Sequence, residues 1–265
     1  AVMPGTYADE AELLGIGKVL GETGKGVYQL VSDFDEWQKE MDWMKRLSIE
    51  TGRPIGFVLF YRSDEEWSRV QEQLDYVRQA NAEGAQLIAH VGARPVTILL
   101  AFDGTAHPFM MHQTFAPLAG LPAEERLAKL RDPAGKAAML AEPAQAFGHP
   151  ILDRLLGEWE SMYPLGDDPC YEPAPGDSIA AEAARLGVSP AERAYDRMLE
   201  NGGKRMLFFP VFGYQTHDLS RQLTMLHDEN AVISLSDAGA HCGVLCDAST
   251  PTFMLQYMAR DRQRG

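Results

Sequence analysis

The chain has 265 residues, 45% of them hydrophobic and 23% charged, ordinary for a soluble globular protein and enough for one large α/β domain or two small ones. Its 38 acidic against 24 basic side chains leave a net charge of -14, which argues against a nucleic-acid binder and against docking on an anionic membrane. No apolar run approaches the roughly 20 residues that span a bilayer, and the start, Ala1-Val-Met-Pro-Gly-Thr-Tyr7, has neither the basic nor the apolar segment of a signal peptide.

The first half repeats one unit three times. Asp9 to Gly24 has helical spacing of apolar residues, stops at Gly24-Lys-Gly26 and runs into an apolar strand, Val27 to Val31. Trp37 to Thr51 is helical again, stops at Gly52-Arg-Pro54 and enters Ile55 to Phe60. Glu65 to Glu83 is a third helix, followed by Gly84 and the strand Gln86 to Val91. Each unit is a helix, a glycine stop and a short buried strand, with the spacing of a parallel crossover. Continuous apolar strands of this kind belong to a parallel sheet.

From Val96 to about Pro175 the rhythm breaks. Val96 to Phe102 suits a strand or a short helix; short helices follow near Pro122–Arg131 and Ala134–Glu142, and Pro164 to Gly176 reads as a surface loop. The rhythm resumes at Ser189-Pro190, where a helix runs to Glu200 and ends at Asn201-Gly-Gly203. Met206 to Phe212 is the next strand, Asp218 to His227 a helix, Ala231 to Leu235 the last strand and Thr250 to Arg260 the last helix. The expected fold is a partial (β/α)8 TIM-type barrel with a helical and loop insertion. Its βα units fill 1–102, the insertion 103–188 and the closing units 189–265 of one incomplete domain. The missing initiator Met and both ends suggest a piece of something longer.

Ala231-Val-Ile-Ser-Leu-Ser-Asp-Ala-Gly-Ala-His241 concentrates the chemistry. A buried strand opens into a small-residue turn carrying Asp237 and His241, and strand C-termini form the active-site floor of such barrels. Asp237 there can hold a metal or move a proton, or it can simply cap the turn. His90, at the end of the third strand, is a core residue or a ligand-facing one. His107 and His112 read as loop residues. The cysteines Cys170, Cys242 and Cys246 are odd in number, so no disulfide framework and a reducing cytoplasm are expected, with Cys242 and Cys246 as small buried residues. No H-x-H, no G-x-S-x-G and no nucleotide-cradling glycine motif occurs.

Several motifs together resemble the D-aminoacylase-like amidohydrolases (amidohydrolase family 3). They are Pro4-Gly-Thr-Tyr-Ala8, Thr51-Gly-Arg-Pro54, Leu130-Arg-Asp-Pro133, Ser236-Asp-Ala-Gly-Ala-His241 and Cys246-Asp-Ala-Ser-Thr-Pro-Thr252. The resemblance implies a metal-dependent hydrolase barrel with zinc or a similar divalent ion, acting on the amide of an N-acyl-D-amino acid. It places the family acid on Asp237, as proton carrier and metal contact. His90, His241 and Arg94 would bind substrate, Arg94 by a bidentate grip on a carboxylate. The strand exits at Val31 and Leu59, where family members carry His ligands, have none. The partners expected are therefore a small-molecule amide and either a second copy of the chain or a missing N-terminal half. On this view the chain alone is inactive; the alternative is a non-catalytic subunit or ligand-binding module that completes a barrel.

Overall fold

The computed structural model describes residues 7–234, 244–245 and 248–262, with the side chain of residue 150 left aside. The chain divides into two compact units. The first comprises the chain up to Ala93 together with the segment from Ser220 through the last strand; the second comprises Arg94–Leu219 and the described residues that follow that strand.

In the first unit, α1 (Glu10–Thr23) starts at Asp9, whose carboxylate accepts from the Glu12 N–H at 2.8 Å. The strand β1 (Tyr28–Leu30) follows, then α2 (Trp37–Thr51), β2 (Ile55–Leu59), α3 (Asp64–Ala82) and β3 (Leu87–Gly92). Ser63 caps α3 by accepting from the Glu66 N–H. The expected alternation of helix, glycine stop and strand is what the chain builds here. Later in the chain α9 (Ser220–Leu226) leads into β7 (Ala231–Ser234). The four strands form one parallel sheet in the order β1-β2-β3-β7, with Ile55 opposite Leu87 and His90 opposite Val232.

One face of this sheet is covered. Phe57, Leu59, Leu87, Ala89 and Val91 pack against Met41, Met44 and Leu47 of α2, Val70, Leu74 and Val77 of α3, and Met225 of α9. Each fully buried side chain of this size contributes about 1.5–3 kcal/mol, so this face dominates the unit's stability. Within the core, Ser48 is 1% exposed, yet its hydroxyl donates to the Arg53 carbonyl at 2.9 Å and accepts from the Gln86 N–H at 2.8 Å. A buried hydroxyl with neither bond would cost about 1–3 kcal/mol.

The Thr51–Pro54 motif proves to be architectural. Thr51 Oγ1 donates to the Leu47 carbonyl, and the Arg53 guanidinium donates to the carbonyls of Gly52 and Gly24, all at the end of the sheet where the strands begin.

The second unit corrects the expectation of further parallel strands. Strand β4 (Val96–Leu100) is followed by α4 (Ala123–Leu130), α5 (Pro133–Ala141), the short helix α6 (Pro150–Asp153), β5 (Tyr163–Leu165), α7 (Ile179–Leu186), α8 (Pro190–Gly203) and β6 (Met206–Phe212). The three strands form an antiparallel sheet in the order β4-β6-β5. The chain ends with α10 (Thr250–Phe253) and a π-helical stretch, Met254–Asp261. Among the described residues the strands make two open sheets and no closed barrel.

The physical reason is that a continuous apolar run suits either orientation, and the direction is set by the pairing of β6 with β4 and β5, which lie far from it in sequence. The remaining motif of the insertion is also a structural device: Asp132 accepts from the Gly135 N–H at 2.8 Å, with Pro133 as the first residue of α5.

Candidate functional site

The face of the parallel sheet turned away from the helices carries Gln29, Gly56, Val58, Ile88, His90, Val232 and Ser234, as the strand register requires. Near the ends where the strands finish, this face gathers its polar groups. His90 Nδ1 lies 3.0 Å from Ser234 Oγ and 3.5 Å from Gln29 Nε2. Ser234 and Gln29 thus orient the ring through Nδ1. Burial lowers the His90 pKa from its ordinary value, which keeps the imidazole neutral at pH 7.

Gly56 makes room for this ring. A Cβ there would lie 2.3 Å from His90 Nε2, so this edge of the ring stands directly over the β2 backbone. His90 is thus a half-buried imidazole held by Ser234 and Gln29.

Charged groups stand where β1 and β2 exit. Arg62 grips Glu66 through its backbone N–H (2.7 Å) and its guanidinium (Nε to Oε1, 2.8 Å). Burial would raise the Glu66 pKa, but the bonds from Arg62 outweigh it and hold the carboxyl below its usual range. Asp33 and Asp35 after β1 add to the field on Arg62. In that loop Phe34 adopts φ +54, a left-handed conformation unusual for a non-glycine residue. It is held by the Phe34 N–H donating to Ser32 Oγ and by edge packing on Phe57. The sequence reading missed Gln29, Gly56 and Ser234; the signal available was polar or small residues on otherwise apolar strands.

The other expected site residues fall elsewhere. Asp237 and His241, with Cys242 and Cys246, lie outside the described residues. Ser234, three residues before Asp237, is the last described residue of that strand. Arg94 is half-buried and opens the second unit. Cys170 is a free, exposed thiol.

His107 and His112 lie outside helix and strand, as loop residues, and are buried in the core of the second unit, at 2% and 5% exposure. The His107 ring packs on Phe102 and Phe115, its Nδ1 accepts from the Phe109 N–H at 3.2 Å, and burial pushes its pKa down to about 3. It is a satisfied core histidine.

The expected zinc-type site does not fit the residues described. Among them no group of three or more His, Cys, Asp or Glu side chains is placed to hold a metal ion. His90 Nδ1 is already engaged by Ser234 and Gln29, and Nε2 sits against Gly56. Among the described residues no helix is long and apolar enough to cross a membrane.

No family model and no curated protein matches the chain. Solved structures that resemble it include N-acyl-D-glutamate deacylase from Bordetella bronchiseptica, complexed with zinc and a phosphonate inhibitor, at 14% identity and a TM-score of 0.39. A D-aminoacylase variant in complex with copper chloride matches at 14% identity and a TM-score of 0.40. A D-aminoacylase studied for its binuclear metal centre matches at 14% and 0.39. In each case the match covers 88% of this chain and 36% of the other, so the chain spans little more than a third of the length of the structures it matches. The likeness is faint, and the functional reading has to rest on the residues themselves.

Proposed function

We propose that this chain is part of a hydrolase that cleaves the C–N amide bond of an N-acyl amino acid, with the C-terminal end of the parallel sheet as its reaction face. The observation that carries the reading is the His90–Ser234 pair. It puts a neutral, oriented imidazole beside Ser234, which stands three residues before Asp237 in the sequence. Strand C-termini are where α/β enzymes hold their reacting groups.

In this reading the sheet is an arc of a barrel of the amidohydrolase kind, since its helices pack on one face only. The His90 imidazole lies on the reaction face as a substrate contact. Asp237 takes the proton of the attacking water as oxygen adds to the amide carbonyl. It returns that proton to the nitrogen as the C–N bond breaks. The sequence resemblance alone assigns Arg94 and His241 to the substrate carboxylate. A zinc-type ion enters only through the sequence resemblance; the described residues supply no donor set, and none of these roles passes through a metal.

The test is amine release from a panel of N-acetyl-D- and N-acetyl-L-amino acids by the product of the complete gene. The expected result is turnover that prefers the D series and is lost in Asp237→Asn. No amine release from any member of the panel defeats the reading.

A further inference from the structure

We propose that the second unit contains a binding site for a small, neutral aromatic alcohol of the phenol type, in the cavity beside His112. The site is separate from the open sheet face and does not depend on the amide-hydrolase reading.

The cavity measures about 220 Å³. Its walls are mainly apolar, with Phe109, Met139, Leu156 and Trp159 around it, and His112 and Glu142 supplying its polar groups. An apolar cavity of about 150 Å³ already accommodates benzene, so this one has room for a single ring and one substituent. Phe109 and Trp159 give the lining an aromatic character that suits an aromatic guest.

His112 is 5% exposed, and among the described residues its Nδ1 has no hydrogen-bond partner. Buried ring nitrogens are nearly always paired, so this atom offers a hydrogen bond to a polar group of a guest. Burial lowers the His112 pKa although Glu142 pulls the other way, and the ring is neutral. A hydroxyl can donate to Nδ1 in one tautomer and accept from it in the other; a methyl group can do neither.

Glu142 sets the charge of the ligand. Its carboxylate accepts from the Gln113 N–H and from both the N–H and the hydroxyl of Thr114, which hold it in its ionised form. Those bonds tie it to the 113–114 turn. A carboxylate ligand would meet this charge at close range, whereas a phenol would not.

Calorimetric titration with phenol, toluene and benzoate tests the proposal. The expected result is saturable one-to-one phenol binding, with toluene about tenfold weaker, as the loss of one buried hydrogen bond implies, and no benzoate binding. His112→Phe should bring phenol down to the level of toluene. Ala191→Phe, which projects a ring into the cavity from its wall, should abolish binding of both while leaving His112 in place. Phenol that binds no better than toluene in the unaltered protein overturns the proposal, as does phenol binding unchanged in Ala191→Phe.

Discussion

His90 Nε2 occupies the space that a side chain on Gly56 would need: an added Cβ would lie 2.3 Å away. The histidine on β3 and the glycine on β2 are therefore one device. Gly56→Ala must push the ring off Ser234 or shift the strand, and overpacking of this kind costs about 1–3 kcal/mol. Thermal unfolding should show that loss, and the His90 ring resonances should move. An alanine variant with unchanged stability and unchanged resonances would contradict the placement.

His107 makes stability depend on pH. Its pKa falls from 6.5 to about 3 on folding, because burial and then the Arg126 charge disfavour the protonated ring, with His112 adding to the effect. The unfolded chain binds the proton more readily, so this contribution is complete above pH 6.5 and is lost as pH falls toward 3. Replacing it with glutamine should remove up to about 1.4 kcal/mol per pH unit from the slope. Urea unfolding of wild type and His107→Gln at about pH 6.5 and about pH 5 measures the difference above most carboxylate titrations. Equal slopes would show that the ring is not buried as described.

Glu172 anchors the C-terminal stretch. Its carboxylate accepts from the guanidinium of Arg262 at 2.9 Å, the hydroxyl of Tyr257 at 2.7 Å and the N–H of Leu219 at 3.1 Å. Burial would raise its pKa, but these bonds prevail and hold it below 4.5, so its contribution is present above that value and disappears as pH falls further. Both side chains are under 10% exposed, and breaking such a pair costs about 3–5 kcal/mol. Chemical denaturation of Glu172→Gln should show a loss of that order at neutral pH; a loss below about 1 kcal/mol, the scale of a surface pair, would be incompatible with the burial.

His90 holds Ser234 rather than a metal ion. His90→Gln should therefore leave metal content, measured by elemental mass spectrometry after dialysis, where it is in the wild type. A fall in bound metal in the variant would place His90 among the ligands and refute its role as a hydrogen-bond partner of Ser234.

Much of the first unit was readable because its signals are local. Asp9 and Ser63 cap helices, Gly24 and Gly52 close them, and the apolar runs from Ile55 and Leu87 are long enough for buried strands. Strand direction was not readable in the same way. Val96–Leu100 and Met206–Phe212 are continuous apolar runs that suit either orientation, and their antiparallel pairing joins segments far apart in the chain. Helix α7 had its marks in Ser178, which accepts from the Ala181 N–H, and in Gly187 at its end, but it followed a proline-rich loop that hid it.

The site was legible in part. His90 stood out as the one histidine on an apolar strand. Its partners Gln29, Gly56 and Ser234 come from three other strands, and their convergence depends on register, which no single segment encodes. The burial of His107 and His112 follows from aromatic neighbours that fold around them, Phe102 and Phe115 among others, and not from spacing.

The most direct test of the proposed chemistry is the split between kcat and KM for N-acyl-D-amino acid hydrolysis by wild type, Asp237→Asn and His90→Gln. Loss of the proton carrier should lower kcat by about 10²–10⁴ with KM little changed. Loss of the imidazole contact should raise KM about tenfold, the worth of one hydrogen bond. An Asp237→Asn enzyme that retains its kcat would contradict the account.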